Sequence, residues 1–373
     1  MFKNIKTPAW IIEEKLLKNN LETMRYIKEE TNCKILLALK GYAIYSTFDI
    51  INQYLDGCCA SGLNEALLSS QEFAKETHTY SPAFKEEEIE EIAKISNHLV
   101  FNSISQFKKY SQKAKEINPN ISIGIRVNPE YSSSPVEKYN PCGLHSRLGV
   151  KIEDFDISIL EGCDGLHFHA LCEQGAEELE NLLIEFEKKF GKYLYQMKWI
   201  NFGGGHHITK DGYNIKLLIK LINKFKTKYS VDIYLEPGEA IGWRCGVLVA
   251  TVVDIVHNGM DIAILDISAE AHMPDTIIMP YRAEIRGASE NYKFLYKISG
   301  NSCLAGDIMG DYRFKEKLNI GDKVVFEDQI HYTIVKATTF NGVALPSISI
   351  LKENGVIHKI KEFGYNDFKN RLS

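Results

Sequence analysis

Cys33-Lys34-Ile35-Leu36-Leu37-Ala38-Leu39-Lys40-Gly41-Tyr42 is the stretch whose reading decides how most of the chain is organised. Ile35 to Leu39 is an unbroken apolar run, the mark of a strand buried on both faces. Read as a strand over 34–39, it closes on Lys40 and is stopped at once by Gly41. An amine at the rim of a buried sheet is partly desolvated, which lowers its pKa and makes it a nucleophile for an aldehyde. A solvated lysine that simply ends a strand is the plainer reading. Only convergence of other residues on the same rim decides between them.

The same texture recurs at 57–60, 77–80, 98–102, 121–127, 165–170, 199–202 and 231–235. Amphipathic or charged segments at 44–54, 62–74, 85–95, 104–116, 175–190 and 214–229 separate most of these runs. Ser61 ahead of Glu65 and Ser103 ahead of Gln106 supply helix-start chemistry. Strands alternating with helices in this way predict a parallel (β/α)8 barrel, with a doubly wound open sheet as the runner-up. After Gly238 the pattern turns β-rich, with runs at Val247–Val256, Asp261–Ile267, Ile277–Ile285, Phe294–Ile298, Lys323–Phe326 and Ser347–Leu351. The expected division is a barrel over 8–239 and a mostly antiparallel β domain over 240–373, which residues 1–7 could also join.

Composition bounds the function. The 373 residues are 45% hydrophobic and 25% charged, with a net charge of -5. That is ordinary for a globular protein and lacks the clustered basic face that nucleic acid requires. No run reaches membrane-spanning length, and the first residues lack the apolar core of a signal peptide. The eight cysteines show no Cys-x-x-Cys spacing, so they read as reduced thiols of a cytoplasmic protein, and no metal site is expected.

In a barrel the working face lies at the carboxyl ends of the strands. Those ends carry Lys40, Ala60-Ser61-Gly62, Arg126, His167 and His169, Gly203-Gly204-Gly205, and Glu236-Pro237-Gly238-Glu239. Three glycines let backbone N–H groups close on an anion, although a plain tight turn reads equally well. His206-His207 would point to opposite sides of a strand, which argues against a metal. His167 and His169 share a face, so one can support the other, and a core histidine is the plainer reading of either. Glu236 ends an apolar run, where a carboxylate needs a partner: a protonated ring nitrogen or an arginine would serve. In the β domain, Gly300 to Asp307 forms an irregular loop around Cys303, either a proton donor or a buried thiol.

Taken in order, the lysine-terminated strand, Ala60-Ser61-Gly62 with Glu65, His169, the triple glycine, Glu236-Pro237-Gly238, the Gly-x-x-Cys loop and a tyrosine ahead of Phe340-Asn341-Gly342 form a set. This set resembles the alanine-racemase-type (fold type III) pyridoxal-phosphate decarboxylases, the group that contains ornithine and diaminopimelate decarboxylases. Within it, Leu37 to Tyr42, Asn140 to Gly149, Ala271 to Asp275 and Lys336 to Gly342 are similar to the branch acting on carboxyspermidine and carboxynorspermidine. The resemblance implies that Lys40 carries pyridoxal phosphate as a Schiff base, His169 stacks on its ring and Glu236 pairs with the ring nitrogen. It implies that Gly204, Gly205 and Gly238 cradle the phosphate, that Tyr332 donates a hydroxyl to it, and that Cys303 of the partner subunit in a homodimer returns the proton.

Departures from the wider group point to the substrate. Ornithine decarboxylase carries an arginine where Glu239 stands, and diaminopimelate decarboxylases add a glutamate where this chain has Leu304. Leu171-Cys172 replaces a Gly-Ser pair, so a phosphate contact there is not carried over. Glu239 and Asp275, with Asp307 as a third, are expected to bind the amines of a carboxylated polyamine. The rivals are an ornithine, arginine or diaminopimelate decarboxylase and a non-catalytic relative. Retention of both Lys40 and Cys303 argues against the last.

Overall fold

In the computed structural model, which describes residues 2–134, 136–279 and 281–373, the chain divides into two compact units. One is Asn20–Ile241; the other joins Met1–Asn19 to Gly242–Ser373. The division falls within the helix Glu14–Thr31. It moves the start of the barrel unit from the expected residue 8 to residue 20, because strand β1 (Ala9–Glu13) belongs to the other unit.

The larger unit is a closed barrel of β2 (Lys34–Ala38), β3 (Gly57–Ala60), β4 (Glu76–Tyr80), β5 (His98–Phe101), β6 (Ser122–Arg126), β7 (Gly165–His167), β8 (Trp199–Asn201) and β9 (Asp232–Leu235). All eight pairings are parallel, and β9 closes on β2 through Lys34↔Tyr234 and Ile35↔Leu235. Every expected barrel strand is present; β3, β4 and β9 end where expected, and the other five stop short at the carboxyl end, β2 at Ala38 and β7 at His167. The chain then leaves the ladder and turns across the rim, so Lys40 and His169 stand on turns and not on strands. Inside the barrel, Leu36, Val100, Trp199 and Tyr234 pack together. The Trp199 indole fills the space over Gly165, where an added Cβ would lie 2.1 Å from the ring. Helix starts follow the sequence signals. Ser103 accepts from the Gln106 amide at 3.3 Å, and Glu65 reaches back to the Ser61 amide at 2.6 Å.

The other unit is built on an eight-stranded sheet in the order β13 (Ile308–Phe314), β12 (Phe294–Ser299), β11 (Asp261–Leu265), β10 (Gly246–His257), β1, β15 (Ser347–Leu351) and β16 (Ile357–Lys361), with β14 (Lys323–Glu327) also on β10. Its pairings are mostly antiparallel; β1 runs parallel to β15 and β11 parallel to β12. The expected strand over Ile277–Ile285 is not formed among its described residues apart from an isolated bridge of Ile285 to Phe326, and residue 280 lies outside the described residues. Asp275–Ile278 is a helical turn following the helix Ala269–His272. The Ser268 side chain caps that preceding helix by accepting from the Ala271 amide, so the backbone enters this segment already coiled.

Candidate active site

β2 and β9 are neighbours, and the turns that follow them touch. The Ala38 amide donates to the Pro237 carbonyl at 2.9 Å, and a Cβ on Gly238 would come within 3.2 Å of the Gly41 Cα. A Cβ on Gly238 would also lie 2.9 Å from the Ala38 carbonyl oxygen, and one on Gly41 3.0 Å from the Gly238 Cα, so the approach leaves little room for a side chain at either position. Lys40 sits in a turn closed by the Gly41 and Tyr42 amides on the Ala38 carbonyl, at 2.9 and 3.1 Å. Its side chain is exposed at the rim, yet the surrounding protein desolvates the ammonium and pulls its pKa below that of an ordinary lysine. Arg126 acts in the same direction, while Cys59, Glu236 and Glu65 oppose it.

Glu236 is 8% exposed. Its Oε1 accepts from the Asn201 amide at 2.7 Å, and Oε2 faces His167 Nε2 at 3.4 Å, longer than a well-formed hydrogen bond. Burial alone would raise the Glu236 pKa, but His167 and Asn201 outweigh it and hold the carboxyl below the usual range. His167 itself is pulled down by burial against the lift from Glu236. The pair is therefore a buried carboxylate beside a neutral imidazole.

His169 Nδ1 accepts from the Gly204 amide at 2.9 Å, which places the ring proton on Nε2. Its carbonyl accepts from Arg126 Nη2 at 2.9 Å, and the guanidinium lies 4.9 Å over the Tyr80 ring. Burial first, then Lys40 and Arg126, keep this imidazole neutral. At Gly204 a Cβ would fall 2.4 Å from the Glu236 carbonyl oxygen, so the triple glycine lets β8 and β9 turn past each other. With the Gly204 amide committed to His169, the amides of Gly205 and Gly238 are the members of the expected cradle that donate to no group among the described residues.

Glu239 Oε1 lies 3.5 Å from His207 Nε2, and Glu173 joins them, the three ligand atoms falling within 4.8 Å of one another. Glu173 and Glu239 both push up the Cys172 thiol after burial has done so, and Lys40 pulls it down, which groups all of them at one edge of the rim. The sequence reading placed Arg126 at a strand end without giving it a role, and assigned no site role to Glu173, Asn201 or Tyr80. Only Arg126 carried a signal there, as the polar end of an apolar strand.

Four expected residues lie in the β-rich unit. Asp307, expected as a third amine ligand, has both carboxylate oxygens engaged within its own unit. It is 2% exposed, and its two oxygens accept from the Ala269 amide at 2.6 Å and the Ser302 amide at 3.0 Å. Asp275 holds Lys336 Nζ at 2.7 and 2.9 Å, so its charge already has a cation. Tyr332 opens the helix Tyr332–Lys336, and Cys303 is exposed with its amide donating to Asn341 Oδ1 at 2.7 Å.

The rim fits pyridoxal phosphate: it offers a desolvated amine, a flat neutral imidazole, two unengaged backbone amides, and a buried carboxylate with one oxygen short of a donor. Comparison with known proteins agrees. Residues 41–329 match the family model "Pyridoxal-dependent decarboxylase, C-terminal sheet domain". The chain is 52% identical to a carboxynorspermidine/carboxyspermidine decarboxylase of Campylobacter jejuni, over 99% of both chains. It is 40% identical to a carboxyaminopropylagmatine decarboxylase of Synechocystis, over 99% of this chain and 96% of the relative. A crystal structure of carboxynorspermidine decarboxylase complexed with norspermidine, from Campylobacter jejuni, superposes with a TM-score of 0.93 at 50% identity, covering 98% of this chain and 100% of the other. Fold, rim chemistry and full-length similarity converge: the chain belongs to the pyridoxal-phosphate-dependent decarboxylases of the alanine-racemase-type fold.

Proposed function

We propose that this chain decarboxylates carboxyspermidine and carboxynorspermidine to spermidine and norspermidine, with pyridoxal phosphate held at Lys40. The observation that carries the substrate reading is the pair of carboxylates, Glu239 and Glu173, at the Lys40 edge of the rim. A carboxylated polyamine presents ammonium groups along an alkyl chain, and two acids side by side suit such a cation.

When bound, the cofactor supplies an electron sink for the pair left behind as carbon dioxide departs. The chain's own residues do the rest. Lys40, with its lowered pKa, presents a neutral amine at a pH where an ordinary lysine is charged. Glu236 offers a fixed negative charge to a protonated ring nitrogen, and Asn201 keeps that carboxylate oriented. His169 presents a neutral ring face, held from one side by Gly204 and from the other by Arg126. The Gly205 and Gly238 amides would hold the phosphate, with the Tyr332 hydroxyl a further proposed donor to it. The proton returned to the reacting carbon comes from the thiol of Cys303 of the partner subunit in a homodimer, whose contacts the β-rich unit provides. All eight cysteines are free thiols, which supports a cytoplasmic enzyme.

The test is carbon dioxide release from carboxyspermidine, carboxynorspermidine and carboxyaminopropylagmatine beside ornithine and diaminopimelate. The first two should exceed ornithine and diaminopimelate by at least about a hundredfold in kcat/KM, the scale of losing one or two charge-assisted contacts. Equal rates across the panel overturn the substrate assignment.

A further inference from the structure

The loop from Gly300 to Asp307 is solvent-exposed over much of its length, yet its backbone is tied at successive residues. The Gly300 amide donates to the Asp307 carbonyl at 2.9 Å, Asn301 to Ile267 at 2.9 Å, and Ser302 to Asp307 Oδ2 at 3.0 Å. Cys303 donates to Asn341 Oδ1 at 2.7 Å. Asp307 Oδ1 in turn accepts from the Ala269 amide, opening the helix Ala269–His272. The Ala271 carbonyl of that helix accepts from Thr338 at 2.8 Å, three residues before Asn341. Loop, helix and turn thus close a ring of hydrogen bonds around Cys303. Asn341 sits at φ 60°, a conformation that asparagine tolerates and most residues resist.

We infer that Asn341 is a positioning residue for Cys303: its side-chain oxygen fixes the cysteine backbone, and so the direction of the thiol, from one side while Asp307 fixes the loop from the other. This rests on Cys303 being the proton donor proposed above. Direction matters because the electron pair left by carbon dioxide can take its proton at either of two carbons. Protonation at the substrate carbon yields the amine. Protonation at the cofactor's aldehyde carbon yields, after addition of one water, an aldehyde and pyridoxamine phosphate, with the amino nitrogen transferred. A thiol held at the first carbon selects the amine.

The experiment compares Asn341→Gly, which accepts the same backbone conformation but lacks the oxygen, with Asn341→Asp, which keeps an oxygen acceptor. Cys303→Ala serves as the reference. In the holoenzyme, Asn341→Gly should lower kcat about tenfold with KM within about twofold, and raise the aldehyde fraction of products toward that of Cys303→Ala. Asn341→Asp should restore the amine. The rate of Cys303 alkylation by iodoacetamide, which needs no cofactor, should rise several-fold in Asn341→Gly and return toward wild type in Asn341→Asp. Two results separate the failures. If Cys303→Ala impairs product partition while Asn341→Gly leaves partition and alkylation unchanged, Asn341 does not position the thiol. If Cys303→Ala itself forms the amine at the wild-type rate, the proton-donor reading fails and this inference falls with it.

Discussion

The two ends of the barrel carry the same chemical pair and use it differently. At the carboxyl end, Glu236 faces His167 at 3.4 Å and takes its hydrogen bond from a neutral amide, Asn201. At the amino end, Glu76 faces His78 at 3.3 Å, and also Lys34 at 3.4 Å and the Tyr234 hydroxyl at 3.4 Å. There the carboxylate already has its cation. His78 stacks on His98 with ring centroids 3.7 Å apart and planes 11° from parallel, which closes that end with aromatic packing. A carboxylate whose neighbours are all within the chain is architecture. One left with neutral partners and an oxygen short of a donor is prepared for something that arrives. The placement follows from the parallel topology, since Lys34, Glu76 and His98 each open a strand whereas His167 and Asn201 each close one.

Substitutions at the two ends should therefore part company. Lys40→Ala should abolish both the yellow colour of the holoenzyme and its turnover, the largest effect expected; a coloured, active variant would move the catalytic amine elsewhere. Glu236→Gln should keep the fold and lower kcat about a hundredfold, because a neutral amide cannot hold a protonated ring nitrogen. Wild-type kcat there would erase the distinction between the two ends. Glu76→Gln should do the reverse, destabilising the chain by about 1–2 kcal/mol in urea titrations while kcat stays unchanged. A tenfold loss of kcat would show that the amino end is also functional. Glu239→Gln should raise KM several-fold for the carboxylated polyamine more than it lowers kcat, since it removes uniform binding. Unchanged KM would take Glu239 out of the substrate site.

At the amino end, His98 also sets a pH response. Burial, then His78, drives the His98 pKa far below its ordinary 6.5. The unfolded chain takes up that proton below pH 6.5 and the folded chain does not, so stability is full above pH 6.5 and is lost progressively below it. The slope is up to about 1.4 kcal/mol per pH unit for such a group. His98→Gln should flatten the fall of Tm between pH 6.5 and 5; an unchanged slope would place the sensitivity elsewhere.

Much of the barrel was legible because a parallel strand buried on both faces writes its whole length in apolar residues. Strand ends were less so: Leu39 and Phe168 are as buried as their neighbours, yet the ladder stops before each of them. β1 was missed altogether. Its partners begin at Gly246 and Ser347, and no local signal in Ala9-Trp10-Ile11-Ile12-Glu13 says that this strand joins them and not the barrel that follows. β13, with Gly310 in its middle, and the largely exposed β16 lacked the apolar run that marked the others.

At the site, order along the chain located Lys40, His169, the triple glycine and Glu236, which the fold gathers at one rim. The acids were harder. Asp307 and Glu239 look alike in sequence, but one carboxylate is consumed by two backbone amides and the other stands beside a histidine. Asp275 meets Lys336 across 61 residues, a pairing no spacing rule reveals. Glu173, in a turn at φ 55°, reaches Glu239 only because the turns after β7 and β9 converge.

Borohydride reduction of the protein loaded with pyridoxal phosphate, followed by peptide mapping, tests the central claim most directly. The account predicts a single phosphopyridoxyl group on Lys40, lost in Lys40→Ala. Labelling at another lysine, or none in a folded protein, would contradict it.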